Sequence, residues 1–206
     1  ENDPKLKGLF VWDELAKNLV FTRPASWHKG QQEKRVSDRD VASLEHYIER
    51  LYKISTVKIE TALSVISQKH TSHPVRDYLN SQHWDGTPRV ETLFIDYLGA
   101  ADNEFNRAVA RKWLAAAVAR IFSPGCKFDY MPLLIGDQGQ KKSMLADKLG
   151  RKWYSDSIST VQGKEAYEQL LGVWIAEMAE LAALRKSEVE AVKHFISKRE
   201  DRFRVS

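Results

Sequence analysis

Cysteine is nearly absent from this 206-residue chain, which holds only Cys126. A single thiol makes no intrachain disulfide and no cysteine-built zinc site. Its scarcity fits a reducing compartment, so a cytoplasmic location is expected. Long hydrophobic runs are missing too. Nothing approaches the roughly 20 apolar residues that cross a bilayer, and no membrane partner is expected. The opening Glu-Asn-Asp-Pro-Lys has neither an initiator methionine nor the basic-then-apolar pattern of a signal peptide, and the chain reads as an internal fragment of a longer protein. Internal repeats and low-complexity linkers are likewise lacking. What is present is 43% hydrophobic and 29% charged, the make-up of a folded globular protein rather than of a disordered tail or a collagen-like rod. The length accommodates one large domain or two small ones.

The excess of positive charge is slight, 32 basic against 28 acidic residues, but it is unevenly placed. Residues 140–152 carry five positive charges against one negative, and residues 185–206 carry seven against four. The remainder is net negative. So small a basic lean permits nucleic-acid binding without arguing for it, and its concentration in the last third says more.

Helical periodicity dominates the first half. From Asp38 to Lys53, Val41, Leu44, Ile48 and Leu51 recur at three- and four-residue steps, with Ser37 and Asp40 as a variant capping box. Val57–Lys69 repeats the pattern with Ile59, Leu63 and Ile66. Thr87-Pro88 reads as an N-cap and first-turn proline, with Gly99 ending the helix that follows. Residues 83–88 before it read as a turn. Asp102–Phe122 is expected to be a helix with Phe105, Val109, Trp113, Ala116 and Ala117 inward, and Leu9–Val20 another helix. After Ser123-Pro124-Gly125 the character changes. Residues 130–135 and 173–178 read as buried strands, and 143–149, 164–171 and 186–198 as helices. That order predicts an α/β fold: a helical region, 1–125, followed by part of a parallel sheet covered by helices, 126–206.

One segment carries chemistry. Gly136-Asp137-Gln138-Gly139-Gln140-Lys141-Lys142-Ser143 falls between an expected strand and an expected helix, where a phosphate-binding loop belongs. In such a loop, backbone N–H groups and the helix N-terminus cradle phosphate oxygens, a lysine reaches the terminal phosphates, and the next hydroxyl binds Mg²⁺. Lys142 and Ser143 hold those last two positions. Lys141 stands where the usual second glycine would be; if that position needs a positive φ, the side chain costs about 1–2 kcal/mol. The alternative is a plain surface loop with two lysines. A second feature joins the first: the apolar run Val173-Trp174-Ile175-Ala176 ends in Glu177, and Glu180 follows. An acid at the end of a neighbouring strand holds Mg²⁺ in nucleotide hydrolases, and a second can align water. Otherwise Glu177 pairs with a lysine and Glu180 caps a helix.

With these residues the chain resembles the virulence-associated protein E family of phages, prophages and pathogenicity islands. The likeness runs from about His73 to the C-terminus through residues 73–79, 84–89, 111–114, 124–129, the phosphate loop, 153–156, 172–177, Glu180-Leu181 and 200–204. It implies a P-loop ATPase similar to superfamily 3 and AAA+ helicases, acting on DNA in mobile-element replication, often joined to a primase region, and self-associating into a ring. It implies ATP and Mg²⁺ as cofactors, Lys142 as the phosphate lysine, Ser143 and Glu177 on the metal side, and Glu180 as base. It also implies a polar sensor strand and an arginine region not contained in these residues, so this fragment alone is expected to hydrolyse ATP poorly. The rival reading is a degenerate P-loop domain serving as a DNA-binding or assembly module, for which Lys141 speaks. A nucleotide kinase fits less well, since no acceptor-site or lid motif follows the loop.

Other residues invite weaker readings. Arg199, Arg202 and Arg204 could act as an arginine finger or simply form a solvated basic end. His70, His73 and His83 fit no metal-ligand spacing. Trp153 and Tyr154 are read as core sooner than as a base-stacking pair. Lys29, Lys34 and Arg35 read as a solvated loop before a DNA contact.

Overall fold

The computed structural model describes residues 3–28, 35–52, 56–178 and 186–198. It is a mixed α/β structure that divides into two compact units, Glu1–Asp77 and Tyr78–Ser206. No helix among the described residues is long and apolar enough to cross a membrane.

In the first unit, strands β1 (Phe10–Asp13) and β2 (Asn18–Phe21) form an antiparallel hairpin, with Phe10 opposite Phe21. The helix expected over Leu9–Val20 is therefore not there. The Asp13 carboxylate accepts from the backbone N–H groups of Leu15 and Ala16, both at 2.9 Å, and Lys17 takes a φ of 52°. That side-chain turn reverses the chain, and the aromatic and β-branched residues on either side favour a pleated surface.

Helices α1 (Asp38–Glu49) and α2 (Thr56–Lys69) fall where the periodicity puts them. Leu44, Ile59 and Leu63 are buried against Leu9, Phe10 and Phe21, whereas Leu51 is exposed beyond the end of α1. The Ser37–Asp40 capping box forms in both directions. Asp40 also accepts from Trp27 Nε1 at 3.2 Å and meets His28 Nε2 at 2.5 Å. Burial alone would raise its carboxyl pKa, but the hydrogen bonds from Ser37, His28 and Trp27 outweigh it and hold the group at about 2. A short strand, β3 (Thr71–Ser72), pairs parallel with β1, and the division between the units falls inside α3 (Pro74–Asn80).

The second unit begins with a tied-down turn. Asp85 binds Arg89 through both oxygens at 2.9 and 2.8 Å and caps the Thr87 N–H, while Trp84 Nε1 donates to the Thr87 carbonyl. The helix expected from Pro88 begins five residues later, as α4 (Leu93–Leu98). Gly99 ends it in the left-handed conformation, as expected.

Helix α5 (Glu104–Phe122) starts on an Asn103 side-chain cap. Val109 and Trp113 pack inward on Leu93, Phe94 and Ala110, but Phe105, expected inward, is 74% exposed. The stripe is thus narrower than the apolar residues alone indicate. Residues 130–135 also depart from expectation: they belong to no strand. Leu134 packs on the same core, while Tyr130, Leu133 and Ile135 are exposed.

Beyond the loop, α6 (Lys142–Gly150) contributes Leu145 and Leu149 to that core. A 3₁₀ turn, Arg151–Trp153, leads into β4 (Tyr154–Ser155), followed by α7 (Glu165–Glu168), β5 (Ile175–Ala176) and α8 (Lys186–Ile196). Strands β4 and β5 pair parallel, Tyr154 opposite Ile175 and Ser155 opposite Ala176. Of the two expected strands, the run at 173–178 supplies β5, but its partner is 154–155 rather than 130–135, and each strand is two residues long.

Gly150 is where α6 meets that pair. A Cβ there would lie 2.8 Å from Tyr154 Cβ and 3.1 Å from Ile175 Cβ. Its φ of −75° suits any residue, so only space selects glycine. Gly150→Ala is expected to cost about 1–3 kcal/mol by overpacking. Chemical denaturation measures this, and an unchanged midpoint would show that helix and strands separate freely.

Candidate functional site

The site is assembled at the N-terminus of α6, on the loop 136–141 that precedes it. Gly139 has a φ of 89°, and Lys141, the N-cap residue, sits in the left-handed region at φ 60° and ψ 22°. The position that would ordinarily be glycine does take a glycine-like backbone. Lysine holds it at a cost of about 1–2 kcal/mol. The Lys141 carbonyl opens the helix by accepting from the Leu145 N–H at 3.0 Å. Asp137, Gln138, Gln140 and Lys141 are exposed, as are Gly136 and Gly139.

Lys142 turns back over this loop. Its Nζ donates to the carbonyls of Gly136 at 2.8 Å and Asp137 at 2.7 Å, so the ammonium is held against the loop backbone by two charge-assisted bonds. One residue on, the Ser143 Oγ donates to Glu177 Oε1 at 2.6 Å. Glu177 is 34 residues away in sequence and is brought there by the end of β5, where its backbone N–H continues the β4 pairing by donating to the Ser155 carbonyl at 2.7 Å.

The second carboxylate oxygen, Oε2, accepts from the Tyr154 hydroxyl at 2.5 Å. Tyr154 lies opposite Ile175 in the parallel pair, and residues two apart on a strand share a face, so Tyr154 and Glu177 are diagonal neighbours. Burial raises the Tyr154 phenol pKa well above its ordinary value, and the Glu177 hydrogen bond and negative charge push it the same way. The phenol is a fixed donor at any working pH.

Of the residues expected at the site, Ser143 and Glu177 meet, and Lys142 is held over the loop by the Gly136 and Asp137 carbonyls. Tyr154, read from the sequence as core sooner than as a base-stacking residue, instead joins them through Glu177. No local spacing signals a contact made across a strand pairing. Glu180 lies outside the described residues, as do Arg199, Arg202, Arg204, Lys29 and Lys34. Arg35 is described and forms an isolated bridge with Val20. Trp153 is buried, with its ring edge-on to Trp174 and near Tyr78, and belongs to the core.

The donor set can be tested against a cation. Hydroxyl and carboxylate oxygens are the hard ligands Mg²⁺ takes, and Ser143 Oγ and Glu177 Oε1 supply one of each, side by side. Among the described residues no three His, Cys, Asp or Glu side chains gather to hold a metal ion. A sparse protein set of this kind suits an ion that draws its other ligands from water and substrate phosphates.

A family model for the virulence-associated protein E-like domain matches residues 79–206, well over half of the chain. The chain belongs to that family. The match takes in the 84–89 turn, the loop at 136–143, the β4 and β5 segments and Glu177. No curated protein matches the chain.

Proposed function

We propose that this chain binds ATP with Mg²⁺ at the 136–143 loop and hydrolyses it as part of a larger, DNA-acting assembly. The observation that carries this is the meeting of Ser143 and Glu177 at the start of α6, beside a lysine folded over the loop. The region from residue 126 on is, in this reading, part of a P-loop NTPase sheet of the AAA+ type. The backbone N–H groups of Gly136 to Lys141 and the first turn of α6 receive phosphate oxygens, with the α6 N-terminus favouring negative charge there. Lys142 exchanges its carbonyl partners for the terminal phosphates. Ser143 and Glu177 hold the cation, which when bound neutralises charge on the phosphate oxygens. Glu180 is the base that aligns water. The basic run at 140–152 suits DNA as partner, while a ring as the assembled form rests on the family likeness and the cytoplasm on the single cysteine.

A nucleotide-binding titration, with and without Mg²⁺, tests this reading. Saturable binding near or below about 100 µM, tightened by Mg²⁺, is expected. Absence of saturation at millimolar ATP sinks it.

One observation favours a second reading, a degenerate loop serving DNA binding or assembly: Lys141 in the left-handed region. The substitution Lys141→Gly separates the two. Under the ATPase reading it stabilises the fold by about 1 kcal/mol and changes ATP affinity by less than about threefold. A gain of tenfold or more transfers support to the degenerate-loop reading.

A further inference from the structure

We infer that Tyr154 is a positioning residue for the cation at this site, acting through Glu177; the inference rests on the ATP and Mg²⁺ reading above. The Glu177 carboxylate is held at both ends by hydroxyls from different elements, Ser143 of α6 on Oε1 at 2.6 Å and Tyr154 of β4 on Oε2 at 2.5 Å. An ionised carboxylate only accepts, so both hydroxyl protons are committed to it. Ser143 spends its one proton this way and leaves its lone pairs for a cation. Among the described residues the Tyr154 hydroxyl makes its hydrogen bond to the far oxygen of the acid and none to the phosphate loop.

The consequence is a fixed plane for the carboxylate. A glutamate at the end of a two-residue strand has three side-chain torsions free to turn, and one bond from Ser143 leaves the group able to swing about that contact. The second bond, from a ring seated against Gly150, removes the swing. Groups that orient a metal-binding side chain in this way typically change metal affinity by 10–100-fold when removed. The same ring also packs β4 on α6. Tyr154→Phe keeps that packing, because the Tyr154 atoms that border the position a Gly150 side chain would take are Cβ and Cδ2, which phenylalanine retains.

The test reads binding without turnover. A fluorescent, non-hydrolysable ATP analogue is titrated onto wild type and Tyr154→Phe, first in EDTA and then with rising Mg²⁺. The expected result is a Mg²⁺ midpoint about tenfold higher for the variant, with Mg²⁺-free analogue affinity unchanged to within about twofold. A structural role alone would weaken both together, and that outcome overturns the proposal. So does an unchanged midpoint in a protein whose wild type responds to Mg²⁺, and the phosphate-site reading then stands without Tyr154. If wild type binds no analogue at all, the phosphate-site reading falls and takes this inference with it. The double variant Tyr154→Phe/Glu177→Gln gives a second measurement. With the acid gone, the loss of the hydroxyl is expected to add less than about twofold to the Mg²⁺ midpoint, and additive effects contradict a role through Glu177.

Discussion

Replacing Lys142 with alanine is expected to weaken ATP binding by about 100-fold or more and to bring hydrolysis to background. The ammonium makes two short bonds to loop carbonyls, Gly136 O at 2.8 Å and Asp137 O at 2.7 Å. Those oxygens mark its reach: it is a cation already stationed over the loop. Charge-assisted bonds contribute about 1.5–3 kcal/mol each when a partner is desolvated, so losing two to phosphate amounts to a hundredfold or more. The cost to the free protein is smaller. The bonds lie on an exposed loop, where water replaces the lost donor, and the melting temperature is expected to move by only a few degrees. Isothermal titration of ATP with Mg²⁺ present measures the effect. A variant binding within about threefold of wild type means that the lysine does not face phosphate and that the loop has another purpose. Since Lys141 lies next to Lys142 and is exposed, Lys141→Ala is the natural control. A general loss of positive charge would make the two variants alike, whereas a positioned lysine makes only Lys142→Ala severe.

The loop and its acid were legible because each is written locally. Two glycines, a lysine and a serine within eight positions fix a chain reversal and a helix start, and an apolar run ending in Glu177 fixes a strand end. The backbone at Lys141 could also be anticipated, since it follows from the place of that residue in the pattern. Tyr154 could not. Its contact with Glu177 exists because β4 and β5 pair with Tyr154 opposite Ile175, and pairing register between segments 20 residues apart leaves no periodic trace.

The misread elements share a cause. Residues 9–20 contain apolar side chains at spacings that suit a helix or a hairpin, and the Asp13 carboxylate, by capping two N–H groups, decides for the hairpin. Residues 130–135 are continuously apolar, which says what they avoid but not what covers them. Leu134 alone joins the described core. Helices α1 and α2 were placed within a few residues because their amphipathic stripes extend over three turns or more, and α5 because it runs 19 residues without a glycine or proline. The family match over residues 79–206 bears out the likeness that the scattered motifs from 84–89 to the phosphate loop and 172–177 already carried.

Glu177→Gln is expected to lower the turnover number by about 100-fold while leaving Mg²⁺-free ATP binding within about threefold of wild type. The substitution is nearly isosteric but changes the hydrogen-bonding inventory. Glutamate accepts from Ser143 on one oxygen and from Tyr154 on the other, whereas glutamine has a single acceptor oxygen and an amide that only donates. One of the two hydroxyls must therefore turn away, and the negative charge beside Ser143 is lost. Removing a preorganised electrostatic contact of this kind commonly costs about 3–4 kcal/mol of transition-state stabilisation, which corresponds to the hundredfold or more. In the proposed reading, ground-state nucleotide contacts come instead from the loop backbone and from Lys142, which is bonded to the loop carbonyls, so binding and turnover separate. Steady-state hydrolysis over a Mg²⁺ series, beside the EDTA binding constant, measures both. If turnover and Mg²⁺-free affinity fall in step, Glu177 is shaping the loop rather than the reaction. If neither changes, the Ser143–Glu177 bond is only a brace between α6 and β5. A variant that binds ATP tightly and turns it over slowly, with full dependence on Lys142, is the outcome that the two hydroxyl bonds to one carboxylate lead one to expect.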